Sequence, residues 1–482
     1  EEKNDKPSDN PDETNQTPTS TPTPTNHEVF HKTTSTVNYD TWSSSSPYTT
    51  AIPTEALTWP NYCDYTPKRH IQPMLTSGNS SNALYTSIEH HLHKLDWRIS
   101  PLIEGIRYIA PIKKLIRCHP SLIGADRLLC AYRNSSVLLQ LRPRMWVTQS
   151  KPQYEFGKNL HCKDQWINGL VDAGGILANK LRFFQLIYEF YRRLVVKGKE
   201  YCFEEWRFVP ETYNLQDLEQ CRDFFDNVYP RVIDGEEERY FIKAAGLHAG
   251  EGVNVMTRDL DTKAWKKYAL GMNCGEDDLP GLVAQKELRN LYLIEGRKSD
   301  IRTYSLVLSV KPLNMVMSPD FFFRRTIAKY DPTSTRPQDF LSQYVAHHSN
   351  AKVVDEAYVS DEEWLTFLEE KLGTKEAAEA KLAETAKKMQ VFTTKLMMIA
   401  NKTLPKFPEA GDVFHLLGWD YMLDEDLNPW WIETNSSPQI NLGHFSSAAR
   451  QPKYIASFLD RMVKGEKPSE LNLKVDTGKE FT

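Results

Sequence analysis

What the 482-residue chain lacks narrows its chemistry first. No apolar run approaches the ~20 residues a helix needs to cross a bilayer, which excludes a helical membrane span. Its seven cysteines form no C-x-x-C pair, so zinc-ribbon and dithiol spacings are absent and reduced thiols are expected. A formal net charge of −5 leaves no basic excess for general nucleic-acid or membrane-surface binding. No secretory leader pattern follows Glu1. With the thiols, this predicts a cytoplasmic protein. No repeat period is evident, and neither the Walker spacing nor the dinucleotide fingerprint occurs. No Ser-His-Asp or Cys-His arrangement suggests nucleophilic catalysis.

What is present supports two or three packed units, with 40% hydrophobic and 11% aromatic residues. Residues 1–57 are the exception: Thr, Ser, Pro, Asn, Asp and Glu dominate, and such a segment is expected to be a disordered tail. Leu84–Trp97 has the spacing of an amphipathic helix, and its His90, His91 and His93 read as surface residues because no second ligand cluster stands nearby. A second helix is expected over Ile176–Tyr191, with Lys180 read as a surface cation and phosphate contact as its alternative. A long, largely solvated helical region is expected over 361–402, broken near Gly373, and a closing helix over Ala448–Val463.

The most informative stretch is Phe414 to Ile440. Apolar and aromatic residues fill 416–423 and 430–432, while Asp424–Pro429 carry turn chemistry, so a β-hairpin is expected. A turn centred between Asp426 and Leu427 places Asp420 opposite Glu433, with Asn435 on the face of Glu433. Unpaired, the two carboxylates would repel and be costly to bury. A hard divalent cation removes that cost, and magnesium suits a few carboxylate oxygens completed by water and phosphates.

Further motifs precede it. Tyr240 to Val255 reads as strand, loop and return strand, with Lys243 at the strand end and Gly250 and Gly252 allowing backbone N–H groups near a phosphate. Leu282–Leu288 is a short strand whose polar end could meet a nucleobase. From Lys298, another strand places Asp300 and Arg302 on one face. Phe321 to Lys329 sets Arg324 and Arg325 behind an aromatic strand.

Together these motifs resemble the tubulin–tyrosine ligase family. The resemblance is carried by Lys243 with Gly-Glu-Gly-Val, Gln285-Lys286, Lys298-x-Asp300-x-Arg302, Arg325-Thr, His347-His-Ser-Asn350, and Gly-Trp-Asp420 through Glu433-x-Asn435. It extends upstream to Asn79-Ser-Ser-Asn-Ala-Leu-Tyr and to Phe208-Val-Pro-Glu-Thr-Tyr213, covering about residues 68–463. Ala249 and Glu287 depart from it, standing where the family carries a basic and an aromatic residue.

The resemblance implies an α/β (α+β) ATP-grasp fold with a smaller N-terminal α/β domain. On that basis the divisions are expected at 1–57 (tail), 58–178 (N-terminal domain), 179–285 (central subdomain with the phosphate loop), 286–463 (C-terminal subdomain with the metal site) and 464–482 (polar tail). It implies ATP held by Lys243, Gly250, Gly252, Gln285, Lys286, Glu287, Leu288, Lys298 and Asp300. Magnesium would be held by Asp420, Glu433 and Asn435. Arg302, Arg325 and Asn350 would handle the carboxylate and amino-acid substrates, with Glu433 also catalytic. The implied reaction is ligation of a free amino acid, tyrosine, to the C-terminus of α-tubulin through an acylphosphate, in the cytoplasm and at the cytoskeleton. Glutamylation, glycylation, ligation to another peptide, and a non-catalytic tubulin-binding scaffold are the alternatives.

Overall fold

The computed structural model describes 72–76, 94–95, 97–101, 145–147, 166–168, 173–199, 203–236, 239–245, 253–256, 274, 281–288, 290–334, 339, 357–404, 412–436, 438 and 446–466. The expected tail, the glycine loop around Gly250 and Gly252, Asn350 and most of the histidine-bearing segment lie outside these residues. All described residues fall within one compact unit, Leu57–Thr482. No helix among them is long and apolar enough to cross a membrane.

Two sheets organise the chain. In the larger, strands β1 (Gln72–Thr76), β2 (Trp97–Pro101), β3 (Met145–Val147) and β4 (Trp166–Asn168) run parallel to one another. They join edge to edge with β13 (Asp412–Leu423) through the β4 pair Trp166–Asp412. Beyond β13 the sheet is antiparallel: β9 (Ser299–Val310) pairs β13, and β11 (Phe322–Arg325) pairs β9. β10 (Leu313–Met317), β12 (Tyr358–Ser360) and β14 (Pro429–Asn435) complete it. The expected N-terminal and C-terminal domains therefore share one sheet.

The smaller sheet has the order β5 (Thr212–Asn214), β8 (Leu282–Lys286), β6 (Tyr240–Ala244), β7 (Val253–Val255). The expected division at 285/286 falls inside β8. The predicted strand–loop–strand at 240–255 is the antiparallel pair β6–β7.

β9 is buried along nearly its whole length, as a central strand covered on both faces should be. One face of the large sheet carries the main core, with Trp419 and Tyr421 in it: Trp431 meets Phe183 and Phe184, and Trp364 packs on Phe321 and Phe323. Phe183 and Phe184 come from the helix Lys180–Val196, whose N-cap Asn179 accepts the Arg182 backbone N–H at 3.1 Å. The helices Asp361–Leu372 and Lys375–Asn401 break at Gly373, whose φ of +87° suits a residue without Cβ. The longer of them is less solvated than its composition predicts. Its last turns bury Met389, Thr393, Leu396, Met397 and Ala400, because widely spaced apolar residues gather on one stripe. The closing helix runs Ser446–Val463.

Against the expectation of reduced thiols, Cys221 and Cys274 are disulfide-bonded, with Cα atoms 5.6 Å apart. Their 53-residue separation gave no local spacing by which the pair could be read.

Candidate functional site

Four neighbouring strands, β14, β13, β9 and β11, lay charged side chains side by side. Asp420 on β13 is fully buried; its register partners are Glu433 on β14 and Arg302 on β9. The Asp420–Glu433 pairing matches the sequence reading, but by a different route. Near the turn the strands pair as Leu423–Pro429 and Tyr421–Trp431, which centres the turn on Asp426. A bulge between Tyr421 and Asp420 then inserts Ile432 and restores Glu433 to its place opposite Asp420. Burial alternation along β14 inverts at that point: Trp431 and Thr434 face inward, Glu433 and Asn435 do not.

Asp420 is not an uncompensated carboxylate. Arg302 donates to it through Nε and, at 2.9 Å, through Nη2. Arg324 Nη2 lies 3.1 Å from the same Oδ2, and Asn435 Nδ2 donates to it at 3.2 Å. Arg324 also forks onto Asp300, with Nε 3.2 Å from Oδ1. Two buried carboxylates and two buried guanidinium groups thus neutralise one another. Burial opposes both arginine charges, yet the facing carboxylates outweigh it and push both guanidinium pKa values up. The expected repulsion between Asp420 and Glu433 is absent, since Glu433 has its own cation: Lys180 Nζ lies 3.1 Å from Oε2. Lys180 is therefore no surface lysine; the Asn179 cap starts its helix so that the first residue reaches the site.

Close packing fixes Arg302. Gly418 neighbours Asp420 on β13, and a Cβ there would meet the Pro438 Cβ at 2.7 Å and the Arg302 Cδ at 3.4 Å. Only glycine leaves room for both.

The smaller sheet contributes Lys243 and Gln285 on the adjacent strands β6 and β8, with Lys243 Nζ donating to Gln285 Oε1. Gln285 in turn donates to Thr212 Oγ1 at 3.2 Å. Burial pulls the Lys243 ammonium down to about 7, Glu433 opposing and Lys180 and Lys298 assisting. Beside them Glu287, with a fully buried carboxylate, takes Arg239 Nε at 2.7 Å and Nη2 at 3.1 Å, Tyr330 OH at 3.0 Å and Lys298 Nζ at 3.5 Å. Lys286 sits at the rim, 3.8 Å from Glu211, and Leu288 is half-buried.

Most described residues of the expected site are gathered here: Lys243, Gln285, Glu287, Lys298, Asp300, Arg302, Asp420, Glu433 and Asn435. Arg325 is not. Alternation along β11 turns it away from Asp300 and Asp420, and it pairs with the exposed Glu295. Arg324, one position earlier, faces the carboxylates. Sequence reading also missed Arg239 and Tyr330, which stand outside the motifs.

Asp420, Glu433 and Asn435 offer hard oxygen donors from one hairpin, a set that fits a magnesium ion completed by water and phosphates. They do not form an all-protein cage: among the described residues there is no group of three or more His, Cys, Asp or Glu poised for a metal.

A probable tubulin polyglutamylase of Caenorhabditis elegans is 26% identical over 246 residues, which is 49% of this chain and 53% of that protein. A tubulin monoglutamylase of Homo sapiens is 24% identical over 250 residues, covering 49% and 19%. An inactive polyglycylase of Homo sapiens is 26% identical over 257 residues, covering 48% and 35%. The chain thus spans about half, or less, of the length of these curated relatives. The sequence model of the tubulin-tyrosine ligase family matches residues 181–466, from the helix that carries Lys180 to the end of the closing helix. With more than half its length matched, the chain belongs to the tubulin-tyrosine ligase family.

Proposed function

We propose that this protein is an ATP-dependent carboxylate–amine ligase that joins glutamate to an acidic tail of tubulin. The carrying observation is the row Glu433–Asp420–Arg302–Arg324, flanked by Lys180, Lys243 and Lys298, where fixed charges of both signs share one site. The described members of the row are carboxylates and guanidinium groups held in ion pairs. Such a site suits a reaction in which the substrates react with each other while the protein aligns them and neutralises charge.

In that reaction an acceptor carboxylate oxygen attacks the γ-phosphorus of ATP and ADP leaves. The amine nitrogen of glutamate then attacks the acyl carbon, phosphate departs and a proton is released. Lys243 and Lys298 would neutralise the phosphates. Arg302 and Arg324, whose Nε–Nη2 edges are held by Asp420 and Asp300, would turn their remaining N–H groups to substrate carboxylates. Magnesium, bound through Asp420, Glu433 and Asn435, would supply charge neutralisation at the transferring phosphoryl group.

Glutamate is favoured over tyrosine because two of the relatives described are named as tubulin glutamylases and none as a tyrosine ligase. Tubulin as acceptor would place the protein in the cytoplasm, at microtubules. The named inactivity of the human polyglycylase favours a second reading, a scaffold without turnover. Incubation with ATP, magnesium, tubulin and radiolabelled glutamate, glycine or tyrosine in turn tests both. Incorporation of glutamate is expected; incorporation of another amino acid corrects the substrate, and none at all supports the scaffold.

A further inference from the structure

We infer that Glu287 is a positioning residue that fixes Lys298 for nucleotide binding by bolting the two sheets together. This rests on the ATP-ligase reading above and assigns a role to a residue that departs from the family's aromatic hinge.

The carboxylate joins side chains from both sheets. Arg239 immediately precedes β6 of the smaller sheet, and its carbonyl also accepts the Glu287 backbone N–H at 2.7 Å. Lys298 immediately precedes β9 of the larger sheet, and Tyr330 follows β11. Arg239 extends the bolt by donating from Nη1 to the Ser334 carbonyl at 2.9 Å. Lys298 crosses the same gap, its Nζ lying 4.7 Å from the centre of the Phe241 ring on β6.

Glu287 itself is not placed to read a base. Its carboxylate is fully buried and already takes four donors: Arg239 Nη2, Tyr330 and Lys298 on Oε1, and Arg239 Nε on Oε2. What the arrangement leaves over is charge and donors on Lys298. Two cations meet one anion here, and Lys298 commits one of its three N–H groups to Glu287. Burial disfavours both charged forms, so each holds the other: Glu287 opposes the fall of the ammonium pKa, and the surrounding cations keep the carboxylate ionised. Without the carboxylate, Lys298 and Arg239 would repel across the sheet junction. The lysine would then turn away from Lys243, whose charge it now influences.

The test reads nucleotide binding directly and needs no acceptor. Calorimetric titration with a non-hydrolysable ATP analogue and magnesium should show about tenfold weaker binding for Glu287→Gln than for the unsubstituted protein. In a Lys298→Met background the same change should alter Kd less than twofold, although the thermal melt falls in both backgrounds because Arg239 loses its partner. A merely structural glutamate would weaken binding equally with and without Lys298. Should the amide variant not fold, Glu287→Asp replaces it: the shortened carboxylate should cost several-fold in Kd, again only when Lys298 is present. Unchanged affinity, or an equal loss in both backgrounds, overturns the inference and leaves the ligase reading standing. Failure of the unsubstituted protein to bind the analogue overturns both.

Discussion

Asp420 and Arg302 face each other on adjacent central strands, with Nη2 2.9 Å from Oδ2 and both side chains buried. The carboxylate that would hold a metal is therefore also the anchor of an arginine.

That double duty separates two variants of the same hairpin. Asp420→Asn takes from Arg302 the carboxylate it forks onto and leaves Arg324 with Asp300, and breaking a buried pair this way costs about 3–5 kcal/mol. Glu433→Gln breaks the partly buried pair with Lys180, at about 1–2 kcal/mol, between the costs of exposed and buried pairs. Denaturant unfolding of the metal-free proteins should show this order. Ligation should fall by orders of magnitude in both, since each removes an anionic metal donor.

Arg324→Lys should be the damaging change on β11 and Arg325→Lys the mild one. Lysine cannot fork onto Asp300 while also reaching Asp420, whereas Arg325 meets a carboxylate that is half exposed. Parallel ligation assays and melts check it. A reversed order would put the substrate face on the other side of β11.

Lys243 gives the site a pH dependence. Its ammonium would ordinarily hold its proton to near 10.5, but in the nucleotide-free fold it releases it at about 7. Between those values the unfolded chain binds a proton that the folded chain does not, so this group makes stability rise with pH across that window. Phosphate would restore the charge. Nucleotide binding should therefore take up a proton above pH 7 and weaken as pH climbs toward 9. Calorimetry in buffers of different ionisation enthalpy measures the uptake, and Lys243→Met should abolish it.

Gly418→Ala should act through space. The new methyl would overlap Pro438 and press on the Arg302 stem, an overpacking cost of about 1–3 kcal/mol. Ligation should drop more than stability, because the displaced group is the site arginine. A melt shifted as expected with unchanged turnover would show that Arg302 is not held by this contact.

The sequence was most legible where local chemistry decides the structure. Gly373 broke the long helix where expected, and Asp420 met Glu433 across the hairpin. It was least legible where one residue of parity or a distant partner decides. Arg324 and Arg325 are adjacent and chemically identical, and only the register of β11 against β9 tells which faces Asp300. Lys180 lies 253 positions from Glu433 in the chain, and Cys221 lies 53 positions from Cys274. Arg239 and Tyr330 belong to no motif; their contacts to Glu287 exist only in three dimensions.

The bulge at Ile432 also bears on how the chain avoids folding errors. A one-residue slip turns a strand's entire set of side chains over. If β14 ran on from Trp431 without the extra residue, Ile432 would oppose Asp420 and Glu433 would turn in among Trp419 and Trp431. An ion in that aromatic interior is among the costliest defects a chain can build. The carboxylate on which the proposed chemistry depends thus penalises the misregistered hairpin, and correct strand assembly is selected by the same atom pair that would bind the metal.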